Sequence, residues 1–225
     1  MQIYKIGVPD IAIAPLVSQL KSSLAVGPTL WIISGGSNIP LSVEAMKRID
    51  YDLSSNLTVT LADERFGDYG HPDSNWTQLK VAGFDPKHAK TIEVLSADNP
   101  GLEATLSQYS NAISMAFYEN ERSVGQFGMG ADGHIAGILP GSVASNETSE
   151  LVVGYQSQPF TRITLTFEAI RHINVAFLIA GGATKRDQLI KLTSQDIPLS
   201  QQPAQIIKQI AESYIYNDQI EGGKQ

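Results

Sequence analysis

Short apolar runs rich in β-branched residues, each stopping at a polar or glycine-rich loop, constrain this chain more than any other feature. Residues 29–34 (TLWIIS) run into a glycine pair, and residues 57–62 (LTVTLA) run into an acidic cluster. Both read as strands. Between them, residues 41–49 have helix-like composition, and upstream Ile13, Leu16, Val17, Leu20 and Leu24 recur at helical intervals across 11–24, after a Pro9-Asp10 start. The rhythm returns with a helix at 102–118, a strand at 124–129 and a buried strand at 174–180 (NVAFLIA) that again ends in glycines. Helices are expected at 184–192 and at 204–216, the second starting just after Pro203. The polar tail, 217–225, is expected to fray.

Strands alternating with helices imply an α/β fold: a mainly parallel, Rossmann-like sheet with helices on both faces. In such sheets ligands bind beyond the carboxyl ends of the strands, so the loops that follow strands are the places to search. Nothing repeats and no linker-like stretch divides the 225 residues, so one domain spanning 1–225 is expected.

Bulk composition narrows the function. No run approaches the roughly 18 consecutive apolar residues of a membrane span, and the first residues lack the apolar stretch of a signal peptide, so a cytoplasmic protein without a membrane partner is expected. The chain has no cysteine, which removes disulfides, thiolate metal sites and a cysteine nucleophile. Its net charge of -7, with 23 acidic against 16 basic residues, argues against a nucleic-acid partner. An anionic ligand would need local positive groups.

Four loops carry candidate chemistry. Ser34-Gly35-Gly36-Ser37-Asn38-Ile39-Pro40 sits between a strand and a helix, where backbone N–H groups and the helix dipole favour phosphate; an ordinary glycine turn would read the same way. Asp63-Glu64-Arg65, followed by His71 to Trp76, combines acceptors for sugar hydroxyls with a guanidinium matched to phosphate, although such triplets also occur as solvated charge clusters. In the third loop, from Gly128 to Ala136, His134 is the best candidate general base, because an imidazole with a pKa of about 6.5 is largely neutral at pH 7. Either Asp132 or Asp63 could orient it. In the fourth, from Ala180 to Arg186, Lys185 stands at a helix start, where a cation is unfavourable unless an anion binds, or where it is simply solvated.

Together these residues resemble the 6-phosphogluconolactonase family, which is related in fold to the glucosamine-6-phosphate deaminases. SGGSNIP resembles the family's SGGSTP phosphate loop, ADERF followed by DSN resembles its second signature, and GMGADGHIAGILPG resembles its GMGPDGHTASLFPG signature. The segment from Arg162 to Thr166 (RITLT), with Ala169-Ile170, and the loop from Gly181 to Lys185 fit as well. The resemblance implies a deaminase-like α/β fold and hydrolysis of 6-phospho-D-glucono-1,5-lactone to 6-phospho-D-gluconate, the second step of the oxidative pentose phosphate pathway. By it, Gly35, Gly36, Ser37, Arg65, Lys185 and Arg162 would bind substrate and phosphate. Asp63 and Asp132 would serve the sugar or orient catalytic groups, and His134 would activate water. A phosphorylated sugar lactone is then the expected small-molecule partner, no cofactor or metal is required, and the chain would be a monomer or a small homo-oligomer.

The chain departs from the family pattern at three places. Asn38-Ile39 replaces a single threonine before Pro40, Gly137 replaces a serine, and Ile138-Leu139 replaces Leu-Phe. Two alternatives stay open at this level, a deaminase and a non-catalytic sugar-phosphate-binding protein. Against the first, deaminases resemble one another in carrying a tyrosine where this chain has Arg65 and a glutamate where it has Leu139. Against the second, the 225 residues carry no helix-turn-helix or other recognisable output motif.

Overall fold

The computed structural model describes residues 1–7, 9–146 and 149–222. Strand β1 (Gln2–Lys5) leads through a 3-10 turn at Pro9–Ala12 to helix α1 (Ile13–Val26), strand β2 (Thr29–Ile33), helix α2 (Ile39–Lys47), the single-turn helix α3 (Tyr51–Ser54) and strand β3 (Leu57–Leu61). Next come β4 (Asp63–Arg65), α4 (Asn75–Val81), β5 (Lys90–Ile92), α5 (Leu102–Glu119) and β6 (Arg122–Phe127). The last third holds β7 (Val152–Ser157), β8 (Phe160–Leu165), α6 (Phe167–Arg171), β9 (Val175–Ala180), α7 (Arg186–Ser194) and β10 (Glu212–Asn217).

Seven strands form one sheet in the order β1-β10-β9-β6-β2-β3-β5, and every pairing within it is parallel. All residues of β2, β3 and β9 are buried, so both faces of the sheet's centre are covered, and near-continuous apolar strands follow from that. Trp31, Phe127 and Phe177 are the largest fully buried side chains. Helix α1 shows how the cover forms. Ile13, Leu16, Val17, Leu20 and Leu24 share one buried face, each contributing about 1.5–3 kcal/mol of transfer free energy, before Gly27 ends the helix with its N–H on the Ser23 carbonyl at 3.1 Å.

The order of this sheet positions the site. From β2 the chain moves to β3 and β5 on one side, and from β6 it moves to β9 and β10 on the other. The loops leaving β2 and β6 therefore diverge from adjacent strands, which opens a crevice at their carboxyl ends. A second, antiparallel sheet of order β4-β8-β7 closes one side of it. Two hydrogen bonds stitch the sheets together: Ala62 N–H to the Ile33 carbonyl at 2.8 Å, and Leu165 N–H to the Ala62 carbonyl at 2.9 Å.

The helix expected at 204–216 is not there. Residues Pro203–Gln209 form a 3-10 segment and Glu212–Asn217 form β10, paired in parallel with both β1 and β9. In sequence the two short elements merge into one helical pattern, because Ala204, Ile206, Ile207 and Ile215 are all buried apolar residues close together along the chain. Beyond β10, the Asn217 side-chain oxygen accepts the N–H groups of Gln219 and Ile220 at 2.9 and 2.7 Å, and Ile220 packs against the core. Residues 223–225 of the tail lie outside the described residues. No helix among the described residues is long and apolar enough to cross a membrane.

Candidate active site

The loop after β2 is shaped by one close approach. A Cβ at Gly35 would lie 2.1 Å from Asn75 Oδ1, so only glycine lets the loop pass against the start of α4. Gly36–Asn38 form a 3-10 turn that runs directly into α2, with Pro40 in its first turn. Asn38 closes this turn and Ile39 opens α2. Ser42 Oγ donates to the Asn38 carbonyl at 3.1 Å and locks the entry.

Strand β4 presents three charged side chains to three different environments. Glu64 is fully buried and accepts the backbone N–H groups of Arg65, Asn75 and Trp76 at 2.7, 2.6 and 3.0 Å, with the Ser74 hydroxyl at 2.8 Å. Burial pushes its carboxyl up and these four donors pull it back. It is a structural clamp that caps α4. Asp63 is 5 % exposed; desolvation holds its carboxyl above the usual range, against the pull of Arg65, Arg162 and His134. Arg162 Nη1 stands 3.7 Å from Asp63 Oδ2.

Arg65 lies directly opposite Arg162 in the β4–β8 register. Like charges so placed repel, and an anion between them would relieve the repulsion. Arg65 is held by Nη1 donating to the Asp73 carbonyl at 2.8 Å and by the Phe160 ring, 5.5 Å away, while its buried Nε makes no hydrogen bond.

The loop after β6 carries the imidazole. His134 Nδ1 lies 2.7 Å from Asp132 Oδ1, which also accepts the His134 backbone N–H at 3.1 Å. Hydrogen bonding from His134 pulls the Asp132 carboxyl down to about 2. An ionised carboxylate only accepts, so in the neutral ring Nδ1 carries the proton and Nε2 is the acceptor. A Cβ at Gly130 would lie 2.1 Å from His134 Nδ1 and 2.4 Å from Asp132 Oδ1, so glycine is required for the pair to form. Sequence leaves open which aspartate contacts His134; it is Asp132. Gly137, in place of the family serine, packs against Thr164 and Asp63, and its N–H donates to Thr164 Oγ1 at 2.9 Å.

Lys185 ends a 3-10 turn (Ala183–Lys185) at the start of α7. Burial lowers its pKa, Asp218 opposes the shift, and the ammonium has no ion pair with any described residue. Asp218 instead accepts the Gly182 N–H at 2.9 Å. These loops surround a cleft of ≈ 270 Å³ lined by Gly35, Gly36, Ser37, Asp63, Arg65, His134, Arg162 and Lys185, eight of the residues singled out from sequence. Asp132, the ninth, is not on the wall; it sits against the far nitrogen of His134.

Six further wall residues were not singled out: Ser34, Asn75, Gly128, Met129, Gly130 and Ala136. Most flank chosen residues in sequence. Asn75 alone arrives from a helix, and its Nδ2 donates to the Asp63 carbonyl at 2.8 Å. Its place in the DSN triplet was the available signal.

The model of the glucosamine-6-phosphate isomerases/6-phosphogluconolactonase family matches residues 12–216. The 6-phosphogluconolactonase of Streptomyces coelicolor is 30% identical over 198 residues, covering 78% of this chain and 75% of that protein. Among solved structures, a 6-phosphogluconolactonase from Thermotoga maritima superposes with a TM-score of 0.81 at 18% identity, covering 96% of this chain and 97% of the other. A monomeric glucosamine-6-phosphate deaminase superposes nearly as well, with a TM-score of 0.79 at 17% identity over 96% and 97% of the two chains. The fold is thus shared by both activities, and matches at this identity speak for the fold alone. With its model matched from Ala12 to Tyr216, the chain belongs to the glucosamine-6-phosphate isomerase/6-phosphogluconolactonase family.

Proposed function

We propose that this enzyme hydrolyses 6-phospho-D-glucono-1,5-lactone, with His134 as the general base. One observation carries the reading: an ionised Asp132 holds Nδ1 of His134 at 2.7 Å on the wall of a cleft that also presents Arg65, Arg162 and Lys185. A neutral Nε2 beside a cationic pocket suits water activation next to an anchored phosphate.

In this mechanism Nε2 takes a proton from water as the water oxygen attacks the lactone carbonyl. Backbone N–H groups of the glycine loops stabilise the oxyanion. The intermediate collapses with cleavage of the bond from the carbonyl carbon to the ring oxygen, and the imidazolium returns the proton to that oxygen. A lactone is an activated ester, so no acyl-enzyme and no cofactor is needed. Arg65, Lys185 and the Gly35-Gly36-Ser37 turn take the phosphate. Asp63, with Arg162 beside it, takes sugar hydroxyls. The whole chain, 1–225, works as one domain.

Deaminase chemistry lacks a needed carboxylate here. The position that would supply it holds Leu139, which packs against the core, and Glu64 is committed to its four donors. The test offers wild-type enzyme freshly generated lactone, followed by proton release above the spontaneous background, and glucosamine 6-phosphate, followed by ammonia release. Lactone turnover without ammonia is expected; ammonia release without lactone turnover would reverse the assignment.

A further inference from the structure

The glycine turn that carries His134 rests on a buried ladder of side-chain amides. A Cβ at Gly133 would lie 2.9 Å from Gln202 Cγ and 3.0 Å from Gln188 Oε1, and the Gly133 carbonyl accepts the Ala204 N–H at 3.0 Å. Gln202 is 1 % exposed; its Nε2 donates to the Gln188 carbonyl at 2.8 Å and to Gln188 Oε1 at 2.9 Å. Its Oε1 accepts Gln205 Nε2 at 2.6 Å, and Gln205 Nε2 also donates to the Gln195 carbonyl at 3.1 Å. Gln188 lies in the first turn of α7, three residues after Lys185, and Gln195 caps the same helix at its end. The ladder therefore straps both ends of α7 to the underside of the His134 turn.

Buried amides cost free energy unless every donor and acceptor is met, and here both hydrogens of Gln202 Nε2 and its oxygen have partners. Such a satisfied network fixes geometry more than it adds stability. None of Gln188, Gln202 and Gln205 lines the cleft. The hydrogen bonds of the Asp132–His134 pair lie within one turn of chain and do not involve these glutamines. The glutamines join that turn to α7, whose first residue, Arg186, directly follows Lys185.

We propose that Gln202 is a positioning residue that keeps the phosphate-binding Lys185 in register with the base His134. This rests on the lactonase reading above. Substrate anchored by its phosphate is then delivered to Nε2 at the right distance, whereas a lactone without phosphate gains nothing from the register.

The test is Gln202→Met, which keeps the side-chain volume against Gly133 and removes all three hydrogen bonds. For the phosphorylated lactone kcat is expected to fall about 10-fold with KM little changed, since misplacement of the reacting groups is costly. For unphosphorylated glucono-1,5-lactone, kcat/KM is expected to stay within about 2-fold of wild type. Equal losses on both substrates would mean a merely structural role and would overturn the proposal, as would no loss on either. Should Gln202→Met fold poorly, Gln188→Met at the half-buried end of the ladder is expected to give a smaller loss with the same selectivity, and the absence of selectivity would again overturn it. A wild-type enzyme inactive on both lactones would overturn the lactonase reading itself, a result distinct from any of these.

Discussion

Replacing Asp132 with asparagine separates what the carboxylate does for the fold from what it does for the imidazole. The carboxyl drops from 3.8 to about 2 in the folded state, a difference worth about 2.4 kcal/mol if fully expressed. Its side chain is 47% exposed, and solvent screening reduces this to about 1 kcal/mol. Because the folded-state value is the lower one, the contribution is complete above the unfolded value of 3.8. It is lost as pH falls from there through about 2.

Asp132→Asn should therefore cost about 1 kcal/mol at neutral pH, a cost that shrinks below pH 3.8 and vanishes only well below the folded-state value of about 2. The catalytic effect should be far larger. An amide can donate to Nδ1, which puts the ring proton on Nε2 and removes the base, so kcat should fall about 10²- to 10⁴-fold. KM should hold, since Asp132 is not on the cleft wall. Proton release from fresh lactone near pH 7, paired with urea unfolding, measures both. A kcat within about 3-fold of wild type, or a loss confined to KM, would refute the assigned tautomer.

Three other expectations follow from the same geometry. Gly130→Ala would place a Cβ 2.1 Å from His134 Nδ1, so kcat should drop as in Asp132→Asn while circular dichroism shows a folded protein; retained activity would mean the loop shifts freely. Glu64→Gln would turn an NH₂ group toward donors on Ser74 and Trp76, and denaturant unfolding should show a loss of about 2–3 kcal/mol. Lys185→Ala should raise KM at least about 10-fold, as expected for loss of an anion anchor. In wild type, burial lowers the lysine's pKa from 10.5, so KM should begin to rise with alkaline pH before free lysine would titrate; a Lys185→Arg enzyme should not show that rise.

The central strands were legible because burial on both faces leaves an unbroken apolar run, as in 29–34 and 174–180. Since ligands sit beyond such strand ends, the site loops followed from the strands. The small sheet carries no such signature: β4 is three charged residues, and β8 begins with half-exposed Phe160, Thr161 and Arg162, so the segment was visible only as a motif. Strand β10 reads as helix in the sequence, because its apolar residues follow those of the 3-10 segment closely enough to mimic one helical face. The choice of Asp132 over Asp63 as partner of His134 depended on the turn at Gly130, and the ladder of Gln188, Gln202 and Gln205 joins residues whose spacing carries no pattern.

The most direct measurement compares wild type with His134→Ala on freshly generated 6-phosphogluconolactone, reading proton release above the spontaneous rate and, in parallel, substrate affinity. Rapid wild-type turnover that falls about 10²- to 10⁴-fold in the variant, with affinity kept, is the predicted result. Equal turnover by both proteins would contradict the assignment of His134 as the base.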